Sequence, residues 1–226
     1  MSAVRDNYLR VMERIEDAAQ RAGRDAKAIR LVAVSKTVDT GRIREAIEAG
    51  ASILGENYVQ EAQRKIEEIG RAVSWHFIGH LQTNKAKPAV RLFDAIHSVD
   101  SIALAEELNR RAEQSGRILP VLIEVNISGE STKFGADEEK ALTLSRRILD
   151  LKHLSLQGLM TMPPYFDSAE MSRPYFIRLR ELRDKMAEKG VPLKELSMGM
   201  SNDFEIAVEE GATYVRVGTA IFGTRK

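Results

Sequence analysis

The sequence predicts an α/β protein, a single (β/α)8 TIM barrel with an added N-terminal helix. Two patterns and one absence carry that expectation. From Leu31 onward short apolar runs alternate with helical stretches, which implies parallel strand–helix–strand units. Eight such runs recur at about 26 residues each, the spacing of a closed eightfold barrel. No GxGxxG follows the first run, which weakens the alternative of an open, doubly wound sheet built to bind a dinucleotide.

The elements follow in order. Val4, Tyr8, Val11, Met12, Ile15, Ala19 and Ala22 fall at helical spacing and Gly23 stops the pattern, so an amphipathic helix is expected over about 3–22. Strands are expected at 31–35, 52–55, 75–79, 95–99, 120–127, 154–159, 195–198 and 214–217. Helical stretches lie between them near 40–50, 57–70, 83–91, 101–115, 137–149, 171–189 and 203–210. The seventh of these, in SNDFEIAVEEGA, has Asp203 and Glu205 in its first turn and Gly211 at its end. Pro163 and Pro164 mark a rim loop after the sixth strand. Neither a Pro/Gly/Ser-rich tract nor an acidic tail divides the chain, so residues 1–226 are expected to form one domain.

Composition narrows the function. A hydrophobic fraction of 43% with 30% charged residues is that of a soluble globular protein. The net charge of +1 carries no nucleic-acid footprint, and the basic TNKAKPAVR stretch reads as a solvated helix. With no cysteine, disulfides, thiolate metal sites and cysteine nucleophiles are all excluded. The first residues are too charged for a signal peptide and no long apolar run follows, so neither a membrane segment nor export is expected, and a cytoplasmic location is.

In such barrels the reactive groups lie at the carboxyl ends of the strands and in the loops that follow. Those positions carry Lys36, Asn57, His80, His97, Asn126, Met160, Ser197 to Ser201, and Arg216 to Thr219. This set has no metal-ligating cluster. Glu56 and Asp100 are available either for acid/base work or to cap the next helix. Lys36 closes the apolar run LVAVSKT. An amine delivered there is paired with an acid, released to solvent, or used as a neutral nucleophile toward a carbonyl compound or pyridoxal phosphate (PLP).

The last two loops, LSMGMSND and VRVGTAIFG, place glycine beside serine and threonine. Phosphate sites in this fold lie between the loops after strands seven and eight, where glycine admits backbone amides to an anion and hydroxyls add neutral donors. The same loops also suit ordinary turns and helix caps. Arg216, two residues before Gly218 and on the same strand face, needs a partner. That partner is a core carboxylate such as Glu124 or, alternatively, the ring nitrogen of PLP. A cationic guanidinium there would keep the pyridine unprotonated and make it a weak electron sink.

Six motifs in order over almost the whole chain (AVSKT, ILGENYVQE, WHFIGHLQTNK, IHSVDS, LSMGMSND and VRVGTAIFG) resemble the pyridoxal phosphate homeostasis protein family. That family's fold resembles the N-terminal barrel of alanine racemase. The resemblance implies a covalent aldimine between Lys36 and pyridoxal 5'-phosphate, with Asn57 near the ring hydroxyl and Arg216 at the ring nitrogen. It implies that Ser201, Gly218 and Thr219 hold the phosphate and that Met160 packs on or beside the ring. His80 sits in a matching motif, with direct contact and a supporting role both open. Lys133, in SGESTKFG, matches a second family lysine that handles incoming or outgoing cofactor, although a mobile loop lysine is commonly just solvated.

Alanine racemase also needs a tyrosine base from a separate domain of a partner subunit. This chain runs only to Lys226, a few residues past the eighth strand, and its tyrosines have no evident placement as a substitute. The expected function is therefore cofactor homeostasis without robust catalysis. A monomer would hold PLP as a lysine aldimine and buffer it or deliver it to apo PLP enzymes. The alternatives are a small PLP-dependent amino-acid racemase or lyase, a cofactor-free Schiff-base aldolase, and a partner-binding barrel without chemistry.

Overall fold

A computed structural model describes residues 3–130 and 132–224. Eight parallel strands close into a barrel in sequence order: β1 (Arg30–Val34), β2 (Ile53–Glu56), β3 (Ser74–Phe77), β4 (Ala95–Val99), β5 (Leu119–Glu124), β6 (Leu154–Met160), β7 (Glu195–Ser197) and β8 (Tyr214–Val217). The seam is the β1–β8 pair, in register at Arg30↔Tyr214, Val32↔Arg216 and Ala33↔Val217. The expected fold class is the one observed. The fifth strand is shorter than its apolar run suggests. It stops at Glu124 because Val125 pairs with Ala136 only as an isolated bridge and the chain then turns into a loop.

The helices between strands are α2 (Thr40–Glu48), α3 (Val59–Ile69), α4 (Ala86–Leu92), α5 (Ile102–Gln114), α6 (Glu138–Leu149), α7 (Arg173–Glu188) and α8 (Phe204–Glu209). A further turn of helix, α9 (Thr219–Phe222), follows β8 and was not expected as a separate element. Asp39, Ser101 and Asp137 cap α2, α5 and α6 through side-chain oxygens that accept a backbone N–H, which satisfies donors the first helical turn leaves unpaired.

The N-terminal helix α1 (Ala3–Arg21) packs on α2, α8 and α9, across the seam where the barrel closes. Val4, Tyr8, Val11, Ile15, Ala18 and Ala19 are buried there, whereas Ala22 lies beyond the helix and faces solvent. Burying residues the size of Val11 and Ile15 contributes about 1.5–3 kcal/mol each. Polar ties fix the angle of the helix. Arg14 donates to both oxygens of Glu205 at 3.0 and 2.7 Å, and Asn7 Nδ2 donates to the Ile221 carbonyl at 3.1 Å.

Alternation along the strands separates two interiors. Leu31 and Ala33 join the large apolar layer between strands and helices, together with Trp75, Phe77, Phe93, Phe176 and Phe204. Val32 and Val34 point the other way and join Ile78 and Tyr214 in a small cluster inside the barrel, with Ile53 packed against it. The inner cluster is small because much of the barrel interior is polar: His76, His97, Glu124, Ser197 and Arg216 are all buried. Among the described residues no helix is long and apolar enough to cross a membrane.

Candidate functional site

The inward face of the barrel opens at the carboxyl ends of the strands into a cleft of about 250 Å³. Six of the expected site residues line it: Lys36 beyond β1, Asn57 beyond β2, Ser201 after β7, and Arg216, Gly218 and Thr219 at the end of β8. Three strand ends and the seventh loop thus bring an amine, a carboxamide, a guanidinium and hydroxyls to one place. Asn57 Oδ1 is buried without a hydrogen-bond partner among the described residues, an acceptor that a ligand hydroxyl would satisfy.

Arg216 is 3% exposed, and its partners are neutral. Nη1 donates to Ser197 Oγ at 2.6 Å and Nη2 to the Thr161 carbonyl at 2.9 Å. The direct pairing with Glu124 that the sequence allowed is not made, and among the described residues Arg216 has no ion pair. Burial pulls its guanidinium down to about 10, while Glu124 and Asp203 act from a distance in the opposite sense, so it remains cationic at neutral pH. Glu124 itself is pushed up to about 7, first by burial and then by Asp100, against the pull of Arg216.

Behind Arg216 a hydrogen-bonded line runs through the barrel. Ser197 Oγ meets His97 Nδ1 at 2.9 Å, His97 Nε2 meets His76 Nδ1 at 3.0 Å, and His76 Nε2 meets Ser74 Oγ at 3.1 Å. Burial holds His97 well below the usual imidazole range, with His76 and Arg216 adding to the shift. Burial likewise lowers His76 to about 4. Each neutral ring carries one N–H. A direction starting from the obligate donor Arg216 therefore runs through Ser197 and His97 to His76 and Ser74. His97, expected at a strand end, is instead inside the barrel as a support to Arg216.

At the other end of the cleft Ser201 Oγ accepts the N–H groups of Gly218 and Ala220, each at 3.2 Å. A Cβ on Gly218 would come within 3.3 Å of Val34, so a side chain there would crowd the strand that leads to Lys36. Gly199, at φ +90°, has no room for a Cβ, which would lie 2.5 Å from that of Ala207. This lets the chain turn tightly from β7 toward Ser201. Asp203 Oδ1 accepts the Met200 N–H at 2.7 Å, and Asn202 Nδ2 donates to the Phe166 carbonyl at 2.9 Å, tying the seventh loop to the sixth.

Two further expected cofactor-site residues, Met160 and His80, are not part of this lining. Met160 is fully buried at the end of β6 and does not line the cleft, whereas Met162, two residues on and on the same face, does. His80 lies in the neighbouring groove that shares Asn57 and Met162 with the cleft. It stacks on Phe134 at 3.7 Å between ring centroids, with Nδ1 3.6 Å from Asp100 Oδ2. The Lys133 side chain is half-buried, with its ammonium 3.2 Å from Glu130 Oε1. Asn126 organises that loop by donating to the Glu130 carbonyl and accepting from Ser128 and Gly129.

Neither Glu56 nor Asp100 caps a helix. Tyr58 and Ser101 occupy the N-cap positions of α3 and α5, and Glu56 points behind β2 toward Lys65. Residues that sequence reasoning did not assign to the site include Met162, Tyr165 and Phe166 from the long loop after β6, and Asn202, whereas Met200 falls within the expected stretch from Ser197 to Ser201. The Pro163–Pro164 pair was the one available signal, since it marks that loop as rim.

The alanine racemase N-terminal domain family matches residues 3–226. The pyridoxal phosphate homeostasis protein of Aquifex aeolicus is 48% identical over 96% of this chain and 96% of its own length. That of Pseudomonas aeruginosa is 42% identical over 100% of this chain and 97% of its own. PipY of Synechococcus elongatus, solved with PLP bound, superposes with a TM-score of 0.82 at 38% identity, covering 94% of this chain and 100% of that one. The chain belongs to the pyridoxal phosphate homeostasis protein family.

Proposed function

We propose that the chain binds pyridoxal 5'-phosphate in this cleft, holds it on Lys36 as an aldimine, and serves cofactor homeostasis by buffering and delivering it. The observation that carries this reading is that one cleft is lined by Lys36, Arg216 and the Ser201–Gly218–Thr219 corner. The relatives' names and the PLP-bound PipY support it.

The donor set fits each part of the cofactor. The Ser201 and Thr219 hydroxyls suit the phosphate, with Gly218 adding no side chain beside them, Asn57 Oδ1 can accept from the ring hydroxyl, and Arg216 suits an unprotonated ring nitrogen. When bound, the cofactor supplies an aldehyde carbon. Lys36 would supply the amine that condenses with that carbon with loss of water, and it would be freed again as the amine when another amine took its place, so exchange would need no further reagent.

Strong racemase activity is disfavoured by Tyr165, the tyrosine that lines the cleft. It is 78% exposed and poorly placed to act as a fixed base. The working unit in this reading is a monomer, and apo PLP enzymes are the expected recipients.

Reconstitution followed by transfer tests the reading. The protein is loaded with PLP, freed of excess by gel filtration, and mixed with an apo PLP enzyme while both the protein's visible absorbance and the enzyme's activity are recorded. Loss of the imine band in step with gain of activity is expected. A protein that retains no cofactor after gel filtration would refute the holding role, and one that never releases it would refute delivery.

A further inference from the structure

A buried ammonium lies directly behind Lys36. Lys65, on α3, is 6% exposed. Its Nζ donates to the Ser35 carbonyl, to Glu56 Oε1 at 2.8 Å and to Glu61 Oε1 at 2.7 Å. Ser35 Oγ donates to the same Glu56 oxygen at 2.6 Å. On the far side of Lys36 the Thr37 N–H donates to Glu61 Oε1 at 2.5 Å. The residues before and after Lys36 are thus bound to one cluster of one cation and two carboxylates.

Two features mark this as more than a packing detail. The strand ladder ends just where the cluster begins, its last β1–β2 tie being the Ser35 N–H to the Gly55 carbonyl at 3.0 Å. Thr37, immediately after Lys36, has φ 62° and is the only non-glycine residue with positive φ among the described residues. For a β-branched side chain that conformation is a strained one, which persists only where surrounding bonds impose it. Here the Glu61 bond to its N–H is one that imposes it. Buried ion clusters often add little net stability over apolar packing, so geometric definition is the stronger account of this one.

We infer that Lys65, Glu56 and Glu61 form a positioning clamp that fixes the main chain on both sides of Lys36 and so sets the direction from which its amine enters the cleft. This rests on the proposed role of Lys36 as the imine-forming residue. None of the three lines the cleft, so each acts through Lys36 and not on the ligand.

The test uses the full chain with Glu61→Ala, Glu61→Gln and Lys65→Met, each checked for wild-type secondary structure and cooperative unfolding. The first readout is the rate at which a borohydride-trappable adduct with pyridoxal 5'-phosphate forms on Lys36. The second is affinity for pyridoxine 5'-phosphate, which has the ring and phosphate but no aldehyde. Glu61→Ala is expected to slow adduct formation about tenfold or more, because misplacing a reacting atom by about 1 Å costs up to about a hundredfold. Pyridoxine 5'-phosphate affinity should stay within about twofold, a split that general loosening of the fold would not produce. Glu61→Gln, which keeps an acceptor for the Thr37 N–H, should regain most of the rate. Lys65→Met, if it folds, should behave as Glu61→Ala does.

Folded Glu61→Ala reacting at the wild-type rate would overturn the clamp. If the wild-type chain itself forms no adduct, the cofactor reading fails separately. The clamp is then judged by the rate at which a small acylating reagent modifies Lys36 in the cofactor-free chain. A change of about threefold or more in Glu61→Ala upholds it, and equal rates overturn it.

Discussion

On the Lys36 side of the cleft a buried ammonium sits between two carboxylates, whereas on the Arg216 side a guanidinium is met by a hydroxyl, a carbonyl and, behind them, two neutral histidines. The first arrangement pairs its cation with carboxylates and directs bonds at the backbone. The second spends only dipoles on its cation, which leaves the positive charge of Arg216 for whatever enters the cleft. A carboxylate in contact with Arg216 would have cancelled that field. The difference teaches that one wall supplies geometry and the other supplies charge.

The largest effect should come from removing the amine itself. Lys36→Ala is expected to abolish the borohydride-trapped adduct completely, read by peptide mass, while leaving phosphate-dependent binding measurable by pyridoxine 5'-phosphate titration. Next comes the opposite wall. Arg216→Met removes a charge-assisted hydrogen bond of about 1.5–3 kcal/mol, so PLP affinity by equilibrium titration should fall about 10–100-fold. A loss as small as that of a surface arginine would mean that the charge of Arg216 is not used.

Ser201→Ala sharpens the contrast at smaller scale. It strips the Gly218 and Ala220 amides of their acceptor and one hydroxyl from the phosphate corner. An affinity loss of about 1 kcal/mol is expected, with the absorbance of the bound cofactor unchanged.

The smallest effect is on pH dependence. Glu124 has a folded-state value of about 7 against an ordinary 4.5, so the folded chain holds its proton more tightly than the unfolded chain does. Its contribution to stability is fully present below about pH 4.5 and is lost as pH rises through about 7. The melting temperature of Glu124→Gln should therefore gain on that of the wild type across this window. His76, lowered from 6.5 to about 4, works in the other direction, and its contribution is lost as pH falls between those values.

Strand ends proved readable from the sequence because a period-2 pattern fixes both where a strand stops and which residues share its inner face. Lys36, Asn57 and Arg216 could be placed on one barrel mouth by counting alone. Depth was not readable in the same way. Met160 and Met162 share a face, and only the closed barrel shows that the first lies below the cleft and the second lines it. His97 was misplaced for the same reason, since an inward histidine within a strand and one at its end look alike in sequence.

The Lys65 cluster was hidden by a different ambiguity. Glu61 and Lys65 stand four residues apart on α3 and look like an ordinary exposed helix pair. Lys65 is buried and Glu61 half-buried beside it because Glu56 and Ser35 converge beneath them from two neighbouring strands, a long-range fact with no local signature. The stacking of His80 on Phe134, from the loop after β5, is equally non-local.

The most direct measurement is borohydride reduction of the PLP-loaded protein followed by mass mapping of every lysine-containing peptide. The account predicts a single phosphopyridoxyl adduct, on Lys36, with Lys65 and Lys133 unmodified. An adduct on either of those lysines in preference to Lys36, or none at all in protein shown to be folded, would contradict it.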